Sequence, residues 1–112
     1  MDEFDVLDHQ GTPVRCSRDH WCRKIVENHP ELSGRQQDVV SAVSDPELVL
    51  QDRDYGNRRH FIRRDPAGLY IDVVVEYRHT TEGITGRMVT AMLRARLRSG
   101  DRPLFVRPEA DR

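Results

Sequence analysis

Polar and apolar positions set out the elements of this chain before any composition is counted. Phe4-Asp5-Val6-Leu7 and the run from Thr12 to Cys16 flank Asp8-His9-Gln10-Gly11. This pattern predicts a small hairpin over about residues 4–16, with Gly11 at its turn. The period then lengthens. Ser17 is a suitable N-cap, and Trp21, Ile25, Val26 and His29 recur at helical spacing, so one face of that segment is apolar. Pro30 disfavours the α conformation at His29 and predicts the end of the helix there. Gly34 interrupts the chain, and Val39, Val40 and Val43 predict a second short helix that stops before Pro46. Together the two helices should occupy about residues 18–45.

Strand signals follow over about residues 47–97. Leu48-Val49-Leu50 and His60-Phe61-Ile62 are short apolar runs separated by the polar turn from Asp52 to Asn57. Asp65-Pro66-Ala67-Gly68 is a turn sequence, and Leu69 to Tyr77 is rich in β-branched and aromatic residues. Glu82-Gly83 marks a further turn before a run through Met88, Val89 and Ala91. Met88, Met92, Leu93 and Leu97 also fit a helical period, but a neighbouring strand needs a partner, so residues 86–94 are read as strand. Residues 98–112 are expected as a C-terminal tail. The predicted fold is α+β: two short N-terminal helices on one face of an antiparallel sheet of about four strands, with the small hairpin beside it. Trp21, Ile25, Val40, Val43, Ile71, Val73, Val75 and Val89 should share one core.

On such a sheet Val89, Ala91 and Leu93 would face the helices, while Thr90, Met92 and Arg94 would face outward near Tyr70 and Asp72. A histidine at a helix end beside a strand hydroxyl and arginines is suitable equipment for metal-free RNA cleavage. The 2′-hydroxyl attacks, one group takes its proton, another protonates the leaving oxygen, and a cation stabilises the phosphorane. In that scheme His29 is the acid or base, Thr90 positions the phosphate and Arg94 or Arg59 stabilises its charge. His60 is a second candidate imidazole, depending on the register of its strand.

Composition adjusts this picture. With 112 residues, 33% charged and 37% apolar, the chain is read as one domain with a modest core. No run approaches the roughly 18 apolar residues of a membrane span, and the acidic start does not resemble a secretory signal. A cytoplasmic location with Cys16 and Cys22 as reduced thiols is therefore expected. The net charge of −1 conceals a division: residues 1–52 hold 5 basic against 11 acidic side chains, and residues 53–107 hold 12 arginines against 6 acids. Arginine suits bidentate phosphate contact, although it is also an ordinary solvated surface residue. Lys24, Arg58, Arg59, Tyr70, Arg87 and Arg96 are the candidate RNA or phosphate contacts.

In order and spacing, several of these features resemble the phage-associated branch of the barnase–EndoU–colicin–RelE nuclease superfamily. They are the Gly-turn hairpin, Trp21 and Ile25, His29-Pro30-Glu31-Leu32, Asp45-Pro46, the apolar strand from Leu69 to Val75, and Val89-Thr90-Ala91. The resemblance spans roughly residues 4–105. It implies a ribonuclease-like toxin with helices against an antiparallel sheet. Family members often carry a second histidine earlier in the first helix, where this chain has Lys24. Two readings follow: a metal-independent endoribonuclease toxin whose groove an antitoxin or immunity protein would cover, or a catalytically inactive nuclease-like fold that binds RNA or a protein partner. No cofactor or metal is expected. Cys16, His20, Cys22 and His29 do not have the spacing of a common zinc site, and His9 and His79 fall in polar turns.

Overall fold

The computed structural model describes residues 2–108. Strands β1 (Asp2–Leu7) and β2 (Pro13–Ser17) form the expected hairpin. Asp8 builds its turn: Oδ1 accepts from the backbone N–H groups of Gln10 and Thr12, each at 2.9 Å, and Gly11 takes a φ of +85° that suits its lack of a side chain. Ser17 caps the next helix as predicted, its Oγ accepting from His20 N at 3.1 Å. Helix α1 is α-helical over Arg18–His20 and continues as a π-helix over Trp21–Val26. A short 3₁₀ turn at Pro30–Leu32 follows, and then α2 (Gln36–Ser44). The remaining strands are β3 (Leu48–Gln51), β4 (Arg58–Arg64), β5 (Tyr70–Thr80), β6 (Gly83–Arg94) and β7 (Arg102–Val106).

The class α+β stands, but the expected sheet does not. Seven strands, not about four, form one sheet in the order β1-β2-β6-β5-β4-β3-β7, and it is mixed rather than antiparallel. The hairpin is part of it, because β2 pairs parallel with β6 through Val14↔Gly86 and Arg15↔Arg87. Gly86 makes this pairing possible: a Cβ there would lie 2.8 Å from Val75 Cγ1 and 3.1 Å from Val14 Cγ2. At the other edge, the expected tail contains β7, which pairs with β3. Pro103 is compatible with this place, because an edge strand tolerates a residue with no N–H to donate. Residues 109–112 of the expected tail lie outside the described residues. Residues 86–94, ambiguous between helix and strand, are strand, paired along their length with β5.

Both helices pack on one face, called inner here. Trp21, Ile25, Leu32, Val39, Ala42 and Val43 meet Val49, Phe61, Ile71, Val73, Val75, Met88 and Ala91 in one buried cluster. Six of the eight predicted core residues belong to it, and Val40 packs against it half-buried. Val89 is the correction. A register shift pairs Val74 with Thr90 and Val75 with Met88, leaving Val89 at a bulge, so Met88 takes the inner place. The outer face carries Leu50, His60, Ile62, Asp72, Val74, Thr90, Met92 and Arg94 by strand alternation. Among the described residues no helix is long and apolar enough to cross a membrane.

Gly86→Ala should cost about 1–3 kcal/mol in urea unfolding, as overpacking does, while Gly56→Ala, with nothing within 4 Å of the added Cβ, should be far milder. Equal midpoints for the two variants would contradict the close approach of β2 to β6.

Candidate functional site

The sheet separates the residues that the sequence placed together. His29 follows α1 on the inner side, its backbone N–H donating to Ile25 O at 2.8 Å and its Nδ1 3.6 Å from Glu31 Oε2. Thr90 lies on the outer face opposite Val74. The structure therefore does not bring His29 and Thr90 to one phosphate. Lys24 is exposed on α1, again on the helix side. Arg59 pairs in register with the inner-face residue Val75, which removes it from the outer groove as well.

Thr90, Arg94, Tyr70, Arg58 and Arg87 do share the outer face. Arg94 lies opposite Tyr70, and Arg58 and Arg87 both lie opposite Glu76. The two guanidinium groups converge on that carboxylate: Arg58 Nε is 3.2 Å from Oε2 and Arg87 Nε is 3.1 Å from Oε1. Partial burial opposes the charge on Glu76, but hydrogen bonds from Arg87 and Arg58 outweigh it and hold the group below the usual carboxylate range. At the other end, the Arg64 guanidinium lies over the Tyr70 ring at 5.2 Å, and its Nη2 is 3.2 Å from the Tyr70 hydroxyl. Arg96 is exposed in the connection after β6.

His60 points to this outer face but is sealed beneath the connection between β6 and β7, its side chain 3% exposed. Nδ1 is 2.9 Å from Asp72 Oδ1 and Nε2 is 2.7 Å from Asp52 Oδ1. Ionised carboxylates only accept, so both ring nitrogens must donate, and the ring is an imidazolium. Burial opposes that charge, yet Asp72, then Asp52 and Asp101, outweigh it and raise the His60 pKa. Arg94 Nε bonds Asp72 Oδ2 at 2.8 Å, while Arg98 Nη2 bonds Asp52 Oδ1 at 2.6 Å and Asp101 Oδ1 at 2.8 Å. Three carboxylates thus face three cations. Asp52 and Asp101 are held below the ordinary carboxylate range despite burial: His60, the backbone N–H groups of Asp54 and Tyr55, and Arg98 act on Asp52, and Arg98 and the Arg53 N–H on Asp101.

Asp52, His60 and Asp101 bring ligand-type atoms within 4.8 Å of one another, the arrangement that could hold a metal. Arg98 Nη2 already lies among them, 3.4 Å from His60 Nε2, so the set is neutralised from within the chain. Of the residues weighed for zinc, Cys16 is buried and Cys22 exposed. Burial, with Glu3 and Asp2 nearby, pushes the Cys16 thiol up to about 12. His20 is occupied elsewhere, its Nε2 2.7 Å from the bulge carbonyl of Val89.

Sequence reasoning did not single out Asp52, Asp101, Arg98, Arg64 or Glu76. Asp72 carried a usable signal, since a carboxylate inside the apolar run from Tyr70 to Val75 needs a partner once buried. Comparison with family profiles, with curated proteins and with solved structures gives no match to this chain, so the nuclease-family resemblance stands on its residues alone.

Asp72→Asn leaves His60 and Arg94 without their shared counter-charge and should destabilise the fold by about 3–5 kcal/mol. The pH dependence has a defined sign. A raised His60 pKa gives stability that is complete below its ordinary value of about 6.5 and is lost as pH rises through the raised value. The lowered pKa values of Asp52 and Asp101 act oppositely, their contribution being lost as pH falls through the acid range. Denaturation midpoints measured from mildly acidic to alkaline pH should therefore fall on the alkaline side, and less steeply in His60→Asn. A wild-type midpoint that rises through the same interval would contradict the charged ring.

Proposed function

We propose that this chain binds single-stranded RNA across the outer face of its sheet without cleaving it. Of the two readings the sequence offers, this is the non-catalytic one, with RNA as the partner. One observation carries it: among the described residues, no histidine presents a free ring to the face that holds the arginines. His60 is enclosed by carboxylates, His20 bonds the Val89 carbonyl, and His9 packs against Phe61 and Phe105. His29 follows α1 on the helix side, and His79 lies in line with inner-face Tyr77 on β5. Metal-free cleavage needs a proton acceptor and a proton donor around one phosphate, and this face supplies no imidazole for either role.

Binding has better support. Arg58 and Arg87 share the single charge of Glu76, which leaves one positive charge uncompensated at that end of the face. Thr90 and Arg94 follow along β6, and the Tyr70 ring lies at the far end beside Arg64. Arginine forks grip phosphates, and an aromatic ring on a sheet offers a base a stacking surface. The endoribonuclease reading would require His29 to act from the other side of the sheet.

Fluorescence anisotropy with a labelled single-stranded RNA tests this. Affinity should fall by about 0.7 log units per log of salt for each phosphate contacted. Arg58→Gln with Arg87→Gln should weaken binding by about tenfold, while Glu76→Gln, which releases both guanidinium groups, should strengthen it by about threefold or more. The RNA should be recovered intact with or without EDTA. Absence of binding at low salt would reject the interface, and cleavage abolished by His29→Ala would restore the enzyme reading.

A further inference from the structure

At the end of the inner face that the helices leave uncovered, the hairpin tip and strands β4, β5 and β6 enclose a cavity of about 250 Å³. Its walls include Thr12, Asn57, Arg59, Tyr77, His79 and Ile84, and no carboxylate lines it. Four other surface cavities that hold arginines each also hold an aspartate or glutamate. Eleven arginines, from Arg15 to Arg107, lie within ion-pair distance of an acid. Arg59, Arg64, Arg78, Arg96 and Arg102 have no such partner among the described residues, and of these Arg59 alone is half-buried, the others being exposed.

The surroundings hold that guanidinium in place. It lies over the Tyr77 ring, Cζ 5.1 Å from the centroid, which leaves the N–H groups at its edges directed sideways. Nη1 has only a long contact of 3.4 Å to Gln10 Oε1. Tyr77 is fixed in turn, its hydroxyl donating to Asp8 Oδ2 at 2.6 Å and its backbone N–H to Asn57 O at 2.7 Å. Asp8, the nearby acid, is turned toward Tyr77 and the amides of its own turn. The result is an oriented, partly desolvated cation without an ion-pair partner, in a cavity that Thr12, Asn57 and His79 also line.

We propose that this pocket binds the phosphate group of a phosphate monoester. The Arg59 fork would take two phosphate oxygens, with Asn57 and Thr12 donating to a third, while the ester oxygen points to the rim. There Ile84, 46% exposed, offers the esterified group an apolar contact. The volume, about 250 Å³, accommodates a phosphate group. A nucleic-acid end and a small phosphorylated metabolite share this chemistry. The site does not depend on RNA binding by the outer face, from which Arg59 is separated by the sheet.

The test is a titration of the full chain with inorganic phosphate at constant ionic strength, followed by backbone amide and Arg59 Nε–H resonances. Saturable shifts at Thr12, Asn57, Arg59 and Tyr77 are expected. Arg59→Gln should weaken binding by about tenfold or more, and Asn57→Ala less, while Arg78→Gln, an exposed change on β5 next to Tyr77, should leave it unaltered. The same spectra report whether each variant is folded. Uridine 5′-monophosphate and glycerol phosphate are then competed against phosphate. Competition by the nucleotide alone assigns the pocket to nucleic-acid ends, and competition by both assigns it to phosphorylated metabolites as well. Each result upholds the monoester. Failure of both to compete, equal binding of acetate, non-saturating shifts, or undiminished binding in Arg59→Gln would overturn it.

Discussion

The buried ion network around His60 is the constraint on which the outer half of the molecule depends. It joins Asp52 after β3, His60 on β4, Asp72 on β5 and Arg94 on β6 to Arg98 and Asp101 in the connection that leads to β7. Burying charge is costly, and a network of this kind adds little net stability over a well-packed apolar substitute. Its main effect is geometric. Arg98 and Asp101 draw the chain back across the outer face, and from that position β7 pairs with β3. Asp101 also accepts from Arg53 N at 2.8 Å, which ties the β3–β4 turn to the same connection.

The network also determines what chemistry remains. An imidazole with one free nitrogen could accept a proton near neutral pH, but a ring with a carboxylate on each nitrogen cannot exchange roles without breaking a buried pair. His60 is therefore a structural cation. Among the described residues the outer face is left with arginines, a threonine and a tyrosine, and with no free imidazole. The inner face has the other histidines, and a packed sheet lies between the two sets.

Much of the local structure was legible from short-range chemistry. Gly11 and Gly68 take positive φ in their turns, Ser17 caps α1, Pro30 ends the helical path, and the alternation along β5 and β6 places Thr90 and Arg94 outward. What depended on distant partners was not legible. The parallel pairing of β2 with β6 rests on the absence of a Cβ at Gly86, and β7 is a strand because β3 offers it an edge. The site failed for a related reason. His29-Pro30-Glu31-Leu32 and Val89-Thr90-Ala91 stand in a suggestive order, and Thr90 faces outward as expected, but His29 follows α1 on the helix side, so the sheet lies between them. Asp52 and Asp101 stand in turn sequences that read as ordinary surface, so nothing local marked them as partners for Asp72 and His60.

The most direct test is nitrogen NMR of the His60 side chain in the native protein. Protons on both Nδ1 and Nε2, exchanging slowly with water and persisting above the ordinary histidine value of about 6.5, are the predicted result. A neutral ring in rapid exchange, titrating near that ordinary value, would contradict the account and return His60 to the list of groups able to move a proton.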